Sequence, residues 1–260
     1  MNKSLLTFWY MPIFIGMFFS FQACDKRSTS KLTLAVSSNM RYATEELVES
    51  FIAETGIPCE IITGSSGKLT AQIIEGAPFD VFLSADMKYP NEIYRRGKAT
   101  DHPVIYAYGY LVFWSRTAGF DFSVENLTDQ ELSHIAIANP ETAPYGVAAV
   151  ELLGNMGILD AVQNKLVFGE SISQTNQFIL SGTTELGLTA RSVVLSPVAQ
   201  GIGHWEEADR DLYSPIAQGA VVLKSEEENM KRAHAFVLFL NSPKGREILH
   251  KFGYGLDIEK

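Results

Sequence analysis

The 260-residue sequence predicts an α/β fold of two lobes with a ligand cleft between them. First, strand-like apolar runs alternate with segments of helical periodicity, which is the pattern of parallel βαβ units. Second, a long apolar and aromatic run at 104–116 interrupts this alternation, and a second α/β set follows it. Third, turns rich in hydroxyl and small residues separate strands from helices. Open α/β sheets bind ligands at the carboxyl ends of their strands, so these turns mark the expected binding edge.

The first 23 residues predict a secretory signal, because they combine one charged residue, Lys3, with an apolar stretch and end in the small residue Ala23. Cys24 follows directly, as in bacterial lipoproteins. We therefore expect cleavage before Cys24, lipidation of that cysteine, and a polar tether over residues 24–30. An uncleaved membrane anchor is the alternative, because the apolar stretch approaches the length of a transmembrane helix.

Removal of the signal changes the formal net charge from −9 to −10, because Lys3 is its only charged residue. This acidic balance argues against nucleic acid or an acidic membrane surface as a partner. Any anion must then be bound through local dipoles. Once Cys24 is lipidated, only Cys59 remains, so no intrachain disulfide can form and we expect Cys59 to be a buried thiol.

The first lobe begins with a strand over 31–36, the turn 37–39 and a helix. A second strand over 57–63 leads through the turn 64–67 into another helix, and a third strand covers 79–83. The first N–H groups of a helix lack internal partners and lie at the positive end of its dipole, so both serine turns can hold an anion. The simpler alternative is that Ser65 or Ser66 only caps its helix.

The run at 104–116 is expected to be one long strand that crosses between the lobes, with Gly109 as its hinge. The second lobe then has a strand over 134–138 with the turn 139–146, and a strand over 165–168 with a turn before the next helix. The remaining expected elements are a strand, a return crossover and two closing helices, at 186–190, 213–223, 226–240 and 244–252. Four turns, two from each lobe, would therefore face the cleft and hold a small oxyanion.

No catalytic or metal-binding set emerges from the sequence. The segment 64–68 has two residues between its glycines and Leu69 after its lysine, so it is not a Walker phosphate loop. The histidines are scattered without metal-ligand spacing, and His204 is expected in a solvated loop. No Gly-x-Ser-x-Gly nucleophile elbow occurs. We expect a protein that is not an enzyme and has no cofactor.

Several motifs occur in a fixed order along the chain: AVSSN at 35–39, GSSGKL at 64–69, EGAPFDVFLSAD at 75–86, NPETAPYG at 139–146, LGL at 186–188 and SPKG at 242–245. With these motifs the sequence resembles the periplasmic molybdate-binding proteins of ABC transporters. The likeness runs from about Leu32 to Gly253, which is nearly the whole mature chain.

The resemblance implies a two-lobed periplasmic binding protein of type II-like architecture, in which each lobe is a mixed β-sheet flanked by helices. Lobe 1 would comprise 31–107 and 220–260, and lobe 2 would comprise 108–219. It further implies a monomer that binds molybdate and tungstate outside the cytoplasmic membrane and delivers them to an ABC transporter permease. Molybdenum would enter only as the bound oxyanion, and the periplasmic protein would be held at the membrane through lipidated Cys24.

The oxyanion ligands that the resemblance implies are Ser38, Asn39, Ser66, Tyr145 and Ile172, the last two through backbone amides. Ser37 is the rival of Ser38 in the first turn. Some family members contribute a tyrosine hydroxyl at the position of Ala190, and Asn39 is the expected compensating donor here. Two other functions remain open: a binder of another oxyanion such as sulfate or phosphate, and an exported α/β enzyme acting on phosphate esters. The enzyme would need a nucleophile with a base in reach, or a metal cluster.

Overall fold

The computed structural model describes residues 31–257, so the expected signal, the tether and Cys24 lie outside the described residues. The chain forms two lobes, each built on a five-stranded mixed sheet flanked by helices, as expected. The strands of lobe 1 are β1 (Leu32–Ser37), β2 (Cys59–Gly64), β3 (Val81–Ser84), β4 (Val104–Gly109) and β10 (Ile216–Val222). The strands of lobe 2 are β5 (Leu111–Ser115), β6 (Ile135–Ala138), β7 (Leu166–Gly169), β8 (Leu186–Ala190) and β9 (His204–Glu207).

The two sheets have corresponding topologies. In lobe 1 the order is β2-β1-β3-β10-β4, with β1 parallel to both β2 and β3, and β10 antiparallel to β3 and β4. In lobe 2 the order is β7-β6-β8-β5-β9, with β6 parallel to β7 and β8, and β5 antiparallel to β8 and β9. The carboxyl ends of the parallel strands therefore meet at one edge of each sheet, which is where ligands bind in such folds.

Helices cover both sheets. Those of lobe 1 are α1 (Arg41–Thr55), α2 (Ser66–Ile74), α3 (Lys88–Arg95), α9 (Glu227–Leu240) and α10 (Pro243–Lys251). Those of lobe 2 are α4 (Val124–Thr128), α5 (Pro144–Asn155), α6 (Leu159–Val162), α7 (Ile172–Ser181) and α8 (Arg191–Val194). Short 3-10 helices cover Ser38–Met40, Gln163–Lys165 and Arg210–Leu212. Within 31–257 no single helix has the length and apolarity to cross a membrane, although the bent pair 144–155 and 159–165 meets both criteria together.

Each lobe has its own hydrophobic core. In lobe 1 the helices α1 and α9 pack together through Phe51 and Phe236, whose rings meet edge to face with centroids 5.2 Å apart. In lobe 2 the core surrounds the fully buried Trp114 of β5. This second core also takes in Ala85 and Ile216, which belong to chain segments of lobe 1. The lobes are therefore packed against each other where the chain crosses between them.

The apolar run at 104–116 is two strands in different sheets rather than one strand. β4 ends at Gly109 and β5 begins at Leu111, so Tyr110 alone joins the two lobes there. The return strand β10 begins at Ile216, which pairs with Gly109. The expected lobe boundaries, 107/108 and 219/220, therefore fall inside β4 and β10, because main-chain pairing continues to Gly109 on one strand and from Ile216 on the other.

Two local expectations need correction. His204 lies in β9 and pairs with Ser115 of β5, so the solvated loop expected there is wrong. This polar four-residue strand gains its structure from the ladder with β5 rather than from an apolar run of its own. Cys59 is only half-buried rather than buried. Its partial burial nevertheless raises the pKa of the thiol to about 11.

Candidate functional site

Four turns follow the carboxyl ends of parallel strands, and each starts a helix. In lobe 1 the 3-10 helix Ser38–Met40 follows β1 and α2 follows β2, whereas in lobe 2 α5 follows β6 and α7 follows β7. Each of these starts leaves N–H groups without an intrahelical acceptor and carries the positive end of a dipole. The arrangement can stabilise a negative charge without a basic side chain.

The first two turns meet through their serine hydroxyls. Ser66 donates from Oγ to Oγ of Ser37 over 3.2 Å, and Ser37 donates in turn to Oδ1 of Asn39 over 2.7 Å. Ser66 Oγ also accepts a hydrogen bond from the backbone N–H of Ala85 at 3.0 Å. A continuous hydrogen-bonded chain therefore connects the two ligand turns of lobe 1 with the end of β3.

The two lobes touch across the cleft at these same turns. The N–H of Gly67 donates to the carbonyl of Thr142 over 2.9 Å. A Cβ at Gly67 would lie 2.8 Å from the hydroxyl of Tyr89 and 3.0 Å from Cα of Thr142, so a side chain there would force these groups to move. The hydroxyl of Tyr89 donates to the carbonyl of Glu141 over 3.2 Å. These contacts place the second turn of lobe 1 directly against the third turn, in lobe 2, and describe a closed cleft.

The fourth turn, between β7 and α7, contacts both the third turn of lobe 2 and the second turn of lobe 1. Glu170, just after β7, accepts from the ammonium of Lys68 over 2.5 Å, and its carbonyl accepts from the Thr142 hydroxyl over 3.5 Å. Helix α7 also contacts the 3-10 helix Ser38–Met40. All four turns are thus connected by direct contacts around one region.

The five residues that the resemblance assigned all lie at these helix starts. Ser38 and Asn39 are in the 3-10 helix, Ser66 and Ile172 are the first residues of α2 and α7, and Tyr145 is the second residue of α5. Each is at most 4% exposed. The structure therefore brings together the predicted residues in a buried region between the lobes.

The two serines of the first turn differ in their contacts. The hydroxyl of Ser38 donates to the carbonyl of Gly64 over 3.0 Å, which ties the end of β1 to the end of β2. The hydroxyl of Ser37 lies directly beside Ser66. Ser37 thus approaches the second turn through its side chain, and Ser38 anchors the first turn to the neighbouring strand.

The side chain of Asn39 is held in a buried network that the sequence did not indicate. Both hydrogens of its Nδ2 are engaged, with Oε1 of Gln218 at 2.8 Å and with the hydroxyl oxygen of Tyr254 at 3.1 Å. Its carbonyl accepts from Tyr254 at 2.9 Å and from the hydroxyl of Ser192, in lobe 2, at 2.8 Å. The remaining donor of Asn39 is its backbone N–H. The position of Ala190 is buried and supplies no polar side chain.

The electrostatics of this region come from dipoles rather than from charges. In the described part of the chain, Asp80 is the only charged residue in the buried class, and its carboxylate accepts from the N–H of Thr33 near the start of β1. Lys68 is more than half exposed and paired with Glu170. Residues 31–257 contain no group of three or more His, Cys, Asp or Glu side chains that could hold a metal ion.

This architecture defines a two-lobed binding protein whose cleft is built for a small anion, because neutral donors from both lobes meet around it. The chain belongs to the bacterial extracellular solute-binding protein family, whose sequence profile matches residues 32–255.

Its relatives include two molybdate-binding proteins called ModA. The protein of Azotobacter vinelandii is 37% identical over 236 residues, which cover 90% of this chain and 93% of that protein. The protein of Rhodobacter capsulatus is 36% identical, over 87% of this chain and 89% of its own length. The solved structure of the Azotobacter vinelandii periplasmic molybdate-binding protein superposes with a TM-score of 0.82 at 35% identity and covers 87% of this chain and all of that one. A sulfate-binding protein of Mycobacterium tuberculosis, SubI, shares the fold at a TM-score of 0.74 and 12% identity.

Proposed function

We propose that this protein binds molybdate, and tungstate as a second tetrahedral dianion, outside the cytoplasmic membrane and delivers it to an ABC transporter permease. The observation that carries the proposal is the meeting of four helix starts from two lobes, lined by buried neutral donors. The similarity to ModA proteins over nearly the whole described chain supports the same ligand.

We assign the oxyanion to the five residues already expected, with one refinement. Ser66 donates through its hydroxyl, and Ser38 is one of the donors of the first turn. Tyr145 and Ile172 donate through backbone N–H groups. Asn39 contributes its backbone N–H, because its side-chain amide is fully engaged in the buried network. Desolvation of a dianion is costly unless fixed donors reach each oxygen, and helix starts provide such donors.

The donor set also accounts for selectivity. An anion that carries a proton needs an acceptor for it. The assigned N–H groups can only donate, and the Ser66 hydroxyl already accepts from the N–H of Ala85. A monoprotonated phosphate would therefore leave its proton unpaired, which disfavours it. Sulfate carries no proton at neutral pH, but it is smaller than molybdate and would leave the donors of the two closed lobes at longer distances.

We further propose that the mature protein is a monomer held at the membrane through lipidated Cys24. The test is mass spectrometry of the full-length protein after expression in a bacterial host, with Cys24→Ser as the control. Diacylglycerol on the N-terminal cysteine, absent from the Cys24→Ser variant, would support the anchor. A cleaved protein without lipid would contradict it.

The function is tested by isothermal titration of the chain from Asp25 onward with molybdate, tungstate, sulfate and phosphate. We expect one-to-one binding of the first two anions and no heat with the last two. Binding of sulfate or phosphate in preference to molybdate would overturn the ligand assignment within the same fold. Absence of binding to all four would contradict the transport proposal.

A further inference from the structure

The side chain of Tyr145 crosses from lobe 2 to the hinge of lobe 1. Its backbone belongs to the start of α5, where its N–H is one of the proposed oxyanion donors. The residue is 2% exposed, and its side chain is among the largest fully buried ones in the described part of the protein. The ring ends against Gly109, the last residue of β4, at the point where the chain leaves lobe 1.

Gly109 leaves room for the ring only because it has no side chain. A Cβ at this position would overlap the hydroxyl oxygen of Tyr145, and it would lie 3.0 Å from Cζ of the same ring and 2.8 Å from Nε2 of Gln218. Gly109 is not among the glycines with positive φ, so an alanine can adopt its backbone conformation. A side chain at Gly109 would therefore destabilise this region by steric overlap with Tyr145 and Gln218 rather than by backbone strain.

The hydroxyl of Tyr145 is fully buried and makes no hydrogen bond of good geometry, although the side chain of Asn39 lies close enough to favour its ionised form. Burial raises the pKa of Tyr145 well above its ordinary range, and the nearby phenols, with Tyr254 foremost, add to this. The phenol is thus neutral, and it stands beside the network that fixes Asn39 through Gln218 and Tyr254. Because no hydrogen bond of good geometry holds this buried hydroxyl, the packing of the ring against Gly109 contributes to its placement.

We propose that Tyr145 couples the ligand site to lobe closure. Its ring fits against Gly109 only when the lobes are closed, and in that closed arrangement its N–H reaches the oxyanion. This rests on the proposed function, because it takes the cleft as the oxyanion site. Tyr145 is in this respect a positioning residue, since its ring acts on the ligand through the placement of its own backbone and of α5. Closure is then biased by a contact that the open form lacks.

The test compares Gly109→Ala with the matched control Gly154→Ala, in which the new Cβ meets no atom within 4 Å. Overpacking at Gly109 should weaken molybdate binding by about tenfold or more, whereas Gly154→Ala should bind as the parent does. In the Gly109→Ala background, Tyr145→Phe removes the overlapping hydroxyl and should restore part of the affinity. Unchanged affinity in Gly109→Ala, or no recovery in the double variant, would overturn the proposal.

A second readout works without any ligand. Lys68→Cys and Glu170→Cys, at the cross-lobe ion pair, can be joined by a short bifunctional thiol reagent only when the lobes approach each other. We expect Gly109→Ala to slow this crosslinking and Gly154→Ala to leave it unchanged, whereas equal rates would contradict the coupling. If the parent protein binds no molybdate while the crosslinking rates differ as expected, the ligand assignment fails and the coupling stands. If Gly109→Ala does not fold, Tyr145→Leu, which cannot reach Gly109, should show the same loss of crosslinking.

Discussion

Removal of the Ser66 hydroxyl tests the ligand site most directly. In the structure this hydroxyl donates to Ser37 and accepts from the buried N–H of Ala85. When an oxyanion enters, the Ser66 hydrogen can turn toward it, and Ser37 keeps its own bond to Asn39. A hydrogen bond to a charged acceptor contributes about 1.5–3 kcal/mol. Ser66→Ala should therefore weaken molybdate binding about 10- to 150-fold.

The same substitution should also lower the stability of the ligand-free protein, because the N–H of Ala85 loses its acceptor. An unsatisfied buried donor costs about 1–3 kcal/mol. At about 2–4 °C per kcal/mol for a protein of this size, the Tm should fall by several degrees. Titration calorimetry measures the affinity, and thermal unfolding with and without ligand separates the loss of binding from the loss of stability.

Ser65→Ala is the matched control, because Ser65 is the neighbouring serine, equally buried, and its hydroxyl neither caps α2 nor has any other partner. It should leave the affinity unchanged and the Tm unchanged or slightly raised. The reasoning is refuted if Ser66→Ala binds molybdate as the parent does, or if Ser65→Ala loses more affinity than Ser66→Ala.

Three further substitutions follow from the contacts of the site. Asn39→Ala keeps the backbone N–H but leaves the partners of the side-chain amide unpaired, so it should lower both Tm and affinity; calorimetry showing parent-like affinity would contradict a role for this network in holding the first turn. Lys68→Gln should change the affinity less than fivefold at 0.15 M salt, because its pair with Glu170 is exposed, and a larger loss would make Lys68 a direct ligand. Burial raises the pKa of Asp86, so the folded state holds its proton more tightly than the unfolded chain and the contribution of Asp86 to stability should fall as pH rises through the acidic range. Asp86→Asn should flatten this fall in thermal unfolding measured from pH 4 to 7, and an unchanged profile would refute it.

The turns of the site could be predicted because their signals are local. A β-branched run, a pair of hydroxyl residues and the onset of helical spacing occur within about ten residues, as in the segment around Ser65 and Ser66. The same local signals located β1, expected at 31–36 and observed at Leu32–Ser37. They also located all four ends of the two closing helices to within one residue.

The crossover could not be read from the sequence with the same accuracy. β4 and β5 are both rich in apolar residues, so together they form one continuous run. Gly109 marked the hinge to within one residue of Tyr110, but nothing local shows that the segments before and after it belong to different sheets. The division is made by pairing partners, β10 for β4 and β8 with β9 for β5, which lie far away in the chain. β9 itself shows the same effect, since a strand of His, Trp and two Glu residues carries no apolar pattern.

The hydrogen-bond network around the Asn39 side chain could not be predicted from the sequence for a related reason. Gln218 and Tyr254 are 179 and 215 residues away from Asn39, and each looks like an ordinary member of its own strand or chain end. No spacing rule connects them. The free donor of Asn39 is consequently its N–H rather than its side chain, and only the folded structure shows this.

Two kinds of information therefore specify this site. The local sequence of each turn provides the proposed donors, and their chemistry favours one class of ligand: a dianion with no proton, bound by neutral groups in an acidic protein. The distances between the turns depend instead on long-range contacts, such as the bond from Ser192 of lobe 2 to the carbonyl of Asn39 in lobe 1. That bond and the contact of Tyr145 with Gly109 both join lobe 2 to lobe 1. If closure depends on them as we propose, the affinity for tetrahedral anions should respond to substitutions at the hinge as well as to those in the turns.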